Sequence, residues 1–410
     1  MIFVPIIVYL AMIVAKLRKG LFASFLVLVA TKSIVDAFWD YKLGVLSLMS
    51  VQGILLPFLF YPLFSKFNYL PKYWARYAKT YIFALSVGLI WVIAVEPLAF
   101  VETLFLNANI FLGFLLMPLL INSKKRLKKM LIAMMVCGIF PILVSIYQLQ
   151  TGIVFRERET VGLIRYVGFY HDAFPVRFYG LTTLLSILIY QSVFKVRKIY
   201  FKLFLIALAG SAFISIYVVF SKAAVGILGL WIVLLLLFSN SRIKQGFSIL
   251  IGILVIILVF GDVVSDNIEQ LFSKEVGYQK GEVKDARYTL AGRGYLWQKY
   301  WRFFANEQSS FFQWLGDGVS RPTHNEFIRV LLMNGIIGLL ALCVFLIKSL
   351  IKTFKIHKTL RVYALMLFGM YFIDSIGLVP GSYYYYNILV WGIFGLLLLR
   401  PQLFINHNTI

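Results

Sequence analysis

The stretch Ser320–Leu340, "SRPTHNEFIRVLLMNGIIGLL", joins two kinds of sequence. Its second half is apolar enough for a lipid bilayer. Its first half gathers His324, Asn325, Glu326 and Arg329 against that segment. Polar groups at the start of a membrane helix are costly, and they are kept for capping, for pairing or for chemistry. Thr323 is a good N-cap residue, and Glu326 follows three positions later, which is the capping-box spacing. The pattern predicts a helix whose first turn holds His324 at the positive end of the dipole, where neutral imidazole is favoured. A neutral histidine at an external surface can serve as a general base. A histidine that only caps or hydrogen-bonds fits the same pattern.

The rest of the chain supplies the setting. It has 410 residues, 61% hydrophobic and only 14% charged, with mean hydropathy +0.86. A soluble domain cannot hide that much apolar surface, so the composition predicts an all-α, polytopic membrane protein. About 12–13 transmembrane helices are expected, since about 20 helical residues cross the hydrocarbon core. They fall near 1–15, 21–38, 45–64, 81–101, 104–121, 130–150, 178–194, 202–220, 223–239, 247–263, 325–347, 362–379 and 384–399. The first is short and lacks the basic leader and small-residue cleavage site of a signal peptide. Cys137 and Cys343 both lie in apolar segments, so no disulfide framework is expected.

The net charge of +23 is distributed by topology rather than for nucleic acid. Every second connection is basic: "KLRK" (16–19), "SKFNYLPKYWARYAK" (65–79), "SKKRLKK" (123–129), "KVRKIYFK" (195–202), "SRIK" (241–244) and "KSLIKTFKIHKTLR" (348–361). None of these contains Asp or Glu, and all 17 acidic residues lie elsewhere. Cationic loops face the cytoplasm, with lipid headgroups as their partners. Two long connections then face outward, near 151–177 and 264–324. The expected organisation is an N-terminal transmembrane bundle over 1–263, a large external loop with amphipathic helices over 264–324, and C-terminal transmembrane helices over 325–410.

The outer connections retain cations that the topology rule disfavours: Arg156, Arg158, Arg165 and Arg177 in the first, Arg287, Arg293, Arg302 and Arg321 in the second. Clusters of arginine suit phosphate, which the planar guanidinium grips in a fork. Solvated ion pairs with Glu157, Glu159 and Asp172 are the alternative. "AGRGYLWQKYWRFF" (291–304) reads as an amphipathic helix with Leu296, Trp297, Tyr300, Trp301 and Phe304 on one stripe, for lipid or for plain packing. Gly292 and Arg293 stand at its start, where free amides and a cation can hold an anion together. Lys222, in the outward turn "FSKAAVG" (220–226), is a further cation on the wrong side for topology. Asp36, Glu96 and Asp374, near other outer ends, are expected either to pair with such cations or to orient an acceptor. No phosphate-binding glycine loop and no zinc-like His/Cys spacing occurs. The doublet "ERE" (157–159) is split by arginine, so neither a metal nor another cofactor is expected.

Several of these stretches, "FSKAAVG", "AGRGYLWQKYWRFF" and "THNEFIRVLLMNGIIGLL", resemble in order the conserved motifs of the O-antigen polymerase and O-antigen ligase superfamily. "RYVGFYHDAFPVRFYG" (165–180) is similar to that family's arginine-bearing external loop. Lys222 stands where the family has arginine. The resemblance implies a GT-C-like, metal-independent glycosyltransferase in the bacterial cytoplasmic membrane, with its site facing outward. It implies His324 as catalytic base, Arg293, Lys222 and Arg165 as diphosphate ligands, and Asn325, Glu326, Arg321 and Arg177 in support around the acceptor. The implied substrate is an undecaprenyl-diphosphate-linked oligosaccharide, and a chain-length regulator is an implied partner. Polymerase, ligase to a lipid A-core acceptor, and lipid-linked glycan flippase are the competing functions. A flippase would not require a base at a helix start.

Overall fold

The computed structural model of the chain describes residues 4–43, 46–49, 51–53, 62–63, 71–95, 104, 107–238 and 264–405. These residues are mostly helical. The helices are α1 (Val4–Leu17), α2 (Leu21–Ala37), α3 (Lys72–Ile93), α4 (Asn107–Leu120), α5 (Lys124–Thr151), α6 (Ala173–Val193), α7 (Ile199–Tyr217), α8 (Lys222–Phe238), α9 (Ser273–Gln279), α10 (Arg293–Arg302), α11 (Ser310–Leu315), α12 (Glu326–Lys355), α13 (Lys358–Gly377) and α14 (Tyr384–Leu399). Two antiparallel two-residue ladders pair β1 (Lys42–Leu43) with β2 (Leu46–Ser47), and β3 (Glu159–Thr160) with β4 (Leu163–Ile164).

Six helices, α3, α5, α6, α7, α12 and α13, are long and apolar enough to cross a membrane. The expected segments at 45–64 and 247–263 fall largely outside the described residues, and the first opens on β2 rather than on a helix. Each of the other expected segments contains a helix. Several run further into the basic connections than hydropathy alone predicted. α5 starts at Lys124, where the Ser123 side chain accepts from the Arg126 amide at 3.3 Å. It ends at Gly152, whose left-handed backbone stops the helix and whose N–H reaches the Gln148 carbonyl at 2.8 Å.

The helices form two compact units that interleave along the chain. The first comprises Met1–Phe67, Pro118–Val225 and Gln402–Ile410, and the second Asn68–Met117 and Gly226–Pro401. This departs from the expected order of 1–263, 264–324 and 325–410. The reason is that the segment from Asn68 packs with the C-terminal helices: Gly113 of α4 lets the backbone of α14 approach so closely that a Cβ there would lie 2.3 Å from the Asn387 carbonyl oxygen.

In the first unit, polar groups inside apolar helices satisfy one another. Pro141 in α5 has no N–H to give to the carbonyl four residues earlier. That carbonyl, of Cys137, accepts instead from the Ser33 hydroxyl of α2. One helical turn holds the buried pair Lys32–Asp36, and the Tyr179 hydroxyl donates to the same carboxylate. Asp36, expected to serve outer cations or an acceptor, is thus used inside the bundle.

In the second unit, α12 breaks at Gly335 (φ 66°, ψ −172°). Beside the break, the Leu332 and Met333 carbonyls accept from the amides of Asp317 and Gly318, at 3.2 and 3.0 Å. The connection before α12 therefore folds back along that helix, about 10 Å beyond its first residue at 1.5 Å per residue. α11 lies in this return. Gly316 has φ 78°, and a Cβ on it would come within 2.3 Å of the Met333 oxygen. Alongside, Asn334 and Asn107 exchange side-chain hydrogen bonds at 3.0 and 3.3 Å. Gly316→Ala combines a strained backbone with an overpacked contact, and is expected to destabilise the protein by about 2–4 kcal/mol. Thermal unfolding of the detergent-solubilised variant measures it, and an unchanged midpoint would refute this account of the return.

Candidate functional site

The expected site residues divide between the two units: Arg165, Arg177 and Lys222 lie in the first, and Arg293, Arg321, His324, Asn325 and Glu326 in the second.

In the first unit a tight turn links α7 to α8. Phe220 takes a left-handed backbone (φ 42°), and Ser221 caps α8, its hydroxyl accepting from the Ala224 amide at 3.4 Å. Lys222 is the first residue of α8. Arg165 donates from Nη2 to the Phe220 carbonyl at 3.1 Å, and Arg177 donates from Nη1 to the Ser221 hydroxyl at 3.1 Å. Two bonds fix the Arg165 segment: its own amide to the Arg158 carbonyl at 2.8 Å, and the Tyr166 amide to the Val218 carbonyl at 3.2 Å. Asp172 caps α6 by accepting from the Phe174 amide at 3.1 Å, and the next turn carries Arg177, buried beneath the Phe174 ring. Arg165, Arg177 and Lys222 are thereby gathered at the amide end of a 17-residue helix. Both the cations and the helix end favour an anion. Arg177, expected only in support, stands with the other two. The signal for it was a cation inside the apolar run "FPVRFYG".

In the second unit the start of α12 differs from the capping box. Asn325 is the N-cap, its Oδ1 accepting from the Ile328 amide at 3.0 Å, so Glu326 is the first helical residue. Thr323 precedes the cap and donates its hydroxyl to the Asn325 carbonyl at 2.8 Å. His324 therefore lies just outside the helix rather than in its first turn. It is exposed and has φ 48°, a conformation that costs a non-glycine residue about 1–3 kcal/mol. Glu326 does not face an acceptor. It is fully buried, bound to Arg329 (Oε1–Nη2 2.6 Å), and it accepts from the Gly381 amide at 3.2 Å. Arg321 uses its fork on Asp317, at 2.6 and 2.9 Å, and lies 4.6 Å over the Phe303 ring. The capping box fails because Asn325 rather than Thr323 caps the helix, which puts Glu326 at its first position, bound to Arg329.

α10 begins at Arg293, as expected, with Gly292 before it in a left-handed conformation. The Arg293 Nη1 lies 2.8 Å from where a Cβ on Gly377 would stand. Asn325 donates from Nδ2 to the Ile376 carbonyl at 3.3 Å. Arg293 and Asn325 therefore meet at the C-terminal end of α13, whose negative dipole a guanidinium also complements. The aromatic stripe of α10 is mainly packing. Tyr300 lies with Phe304 on Ile328, Leu331 and Leu332 of α12, while Trp301 stays exposed.

Two further arginines of the connections expected to face outward pair with carboxylates. Arg156 binds Asp40. Arg287 grips Asp285 at 2.6–2.9 Å, and those hydrogen bonds hold the Asp285 carboxyl well below the usual carboxylate range. Asp374 is buried and accepts from the Tyr386 hydroxyl at 3.0 Å. Glu96 lies outside the described residues.

Compared with known proteins, the sequence matches no family model, and no curated protein matches it.

If Glu326 is structural, Glu326→Gln and Arg329→Met should each cost about 3–5 kcal/mol, because each strands a buried charge. The double variant should recover most of that loss. Yield and thermal unfolding of the single and double variants decide it. Single variants as stable as the parent would return Glu326 to a functional role.

Proposed function

We propose that the chain is a membrane glycosyltransferase that polymerises undecaprenyl-diphosphate-linked oligosaccharides at the outer face of the cytoplasmic membrane. The observation that carries this reading is the gathering of Arg165, Arg177 and Lys222 at the start of α8. That is a grip for a compact polyanion on a protein with six helices fit to span a membrane. The family resemblance of the same stretches supplies the substrate class, the GT-C-like architecture of about 12–13 spans and the outward orientation.

In this reading the cations of the first unit hold the donor's diphosphate and stabilise the charge that grows on it as it leaves. The base is assigned by the resemblance of "THNEFIRVLLMNGIIGLL" alone: His324 takes the proton from an acceptor hydroxyl. The hydroxyl oxygen bonds to the anomeric carbon, and the bond from that carbon to the diphosphate oxygen breaks. The electron pair leaves with undecaprenyl diphosphate, and the proton passes from the imidazole to water. Such a leaving group needs charge stabilisation more than a strong acid; the resemblance implies that the cations supply it without a divalent metal.

The purified protein, given a synthetic undecaprenyl-diphosphate oligosaccharide, should lengthen the glycan with EDTA present. His324→Ala should lower kcat by about a hundred- to ten-thousand-fold while its thermal unfolding stays that of the parent. Arg165→Gln and Lys222→Gln should each weaken use of the donor about tenfold or more. A fully active His324→Ala would remove the assigned base, and arrest by EDTA would remove the metal-free mechanism.

A further inference from the structure

The connection after α5 does more than present Arg165. Two of its phenylalanines fold back down the side of that helix. Phe155 stacks on Tyr147 (centroids 6.1 Å apart, planes within 9°), and Phe169 stacks on Phe140 (6.3 Å, 17°). The two loop rings also stack on each other at 4.5 Å. The result is a column of four rings, Phe140–Phe169–Phe155–Tyr147. It covers two helical turns of α5, about 10 Å, in the half nearer the outer connection.

Both ends of the loop are pinned to α5 by one side chain. Gln148 accepts from the Gly168 amide at 2.7 Å and donates to the Ile153 carbonyl at 3.2 Å. The column is thus built into the fold. It is also open: Tyr147 is 47% exposed, Phe155 39% and Phe169 38%. It continues an exposed apolar stripe of α5 through Val136 and Leu143, at helical spacing.

The charge on the same loop identifies what would cover this surface. Arg165 belongs to the cationic turn at the start of α8, and Phe169 is four residues further on, so the chain separates them by at most about 14 Å. An occupant of both needs an anionic head and a long apolar tail. We propose that the ring column is the wall along which the polyprenyl tail of the donor lies, with its diphosphate at Arg165, Arg177 and Lys222. This rests on the donor-binding reading given above, and it adds the part of the protein that recognises the lipid. The methyl and allylic groups of a polyprenyl chain pack by dispersion against exposed aromatic faces and edges.

The test uses the full chain in detergent with two probes: inorganic pyrophosphate for the head alone, and a long-chain polyprenyl diphosphate. The parent should bind the polyprenyl probe more tightly than pyrophosphate. Phe155→Ser with Phe169→Ser should reduce that advantage about tenfold and leave pyrophosphate binding within about twofold, which also reports that the turn is still folded. Phe155→Leu with Phe169→Leu, which keeps the loop apolar, should retain part of the advantage. The proposal is overturned if the serine variant keeps the full advantage, if it loses both probes equally, or if phosphatidylglycerol at equal concentration displaces the polyprenyl probe. Failure of the donor reading looks different: pyrophosphate would bind the parent no better than it binds Lys222→Gln, and the tail assignment would fall with it.

Discussion

Two hydrogen bonds, from the amides of Asp317 and Gly318 to the carbonyls of Leu332 and Met333, hold the connection before α12 to that 30-residue helix. Inside an apolar slab a carbonyl without a partner costs several kcal/mol. The break of α12 at Gly335 would create that problem, and the returning loop solves it. The position of the start of α12 follows. Asp317, fixed by its amide, gives its carboxylate to Arg321, and the three residues after Arg321 bring the chain to His324. The same constraint acts in the first unit, where Pro141 removes an amide and Ser33 repairs the loss from a neighbouring helix.

Charge is sorted by the same rule. The buried pairs Lys32–Asp36 and Glu326–Arg329 are cation and carboxylate within one helical turn, so neither leaves a lone charge in the apolar interior. Arg321 is spent on a carboxylate as well. Arg165 and Arg177 bond neutral oxygens, a carbonyl and a hydroxyl. Those bonds orient the two guanidinium groups beside the first turn of α8.

Much of the helical framework was legible in the sequence, because apolar length alone selects helices in a membrane. The helix at Arg293 was legible from its glycine and its stripe. The return of the loop over 310–318 was not. Its signal, "SFFQWLGDG", is short, and its depth depends on Gly88, Gly316 and Gly335 meeting from distant parts of the sequence. The cap of α12 was misplaced by two residues because Thr323 and Asn325 are both good caps. The choice between them is made by Arg329, which draws Glu326 inside, and by Ile376, which accepts from Asn325. The interleaved units were likewise beyond a linear reading, since hydropathy says which segments are apolar but not which apolar faces fit.

The polar start of α12 can now be resolved residue by residue. Arg321 and Thr323 shape the approach, Asn325 caps the helix, and Glu326 with Arg329 locks its first turn into the interior. Each of these groups is occupied by a contact that the fold requires. His324, between them, is exposed and held in a left-handed backbone, which histidine enters more readily than most non-glycine residues. Its neighbours fix that conformation on both sides. The many polar residues at this helix start are thus accounted for by the contacts that set its first turn.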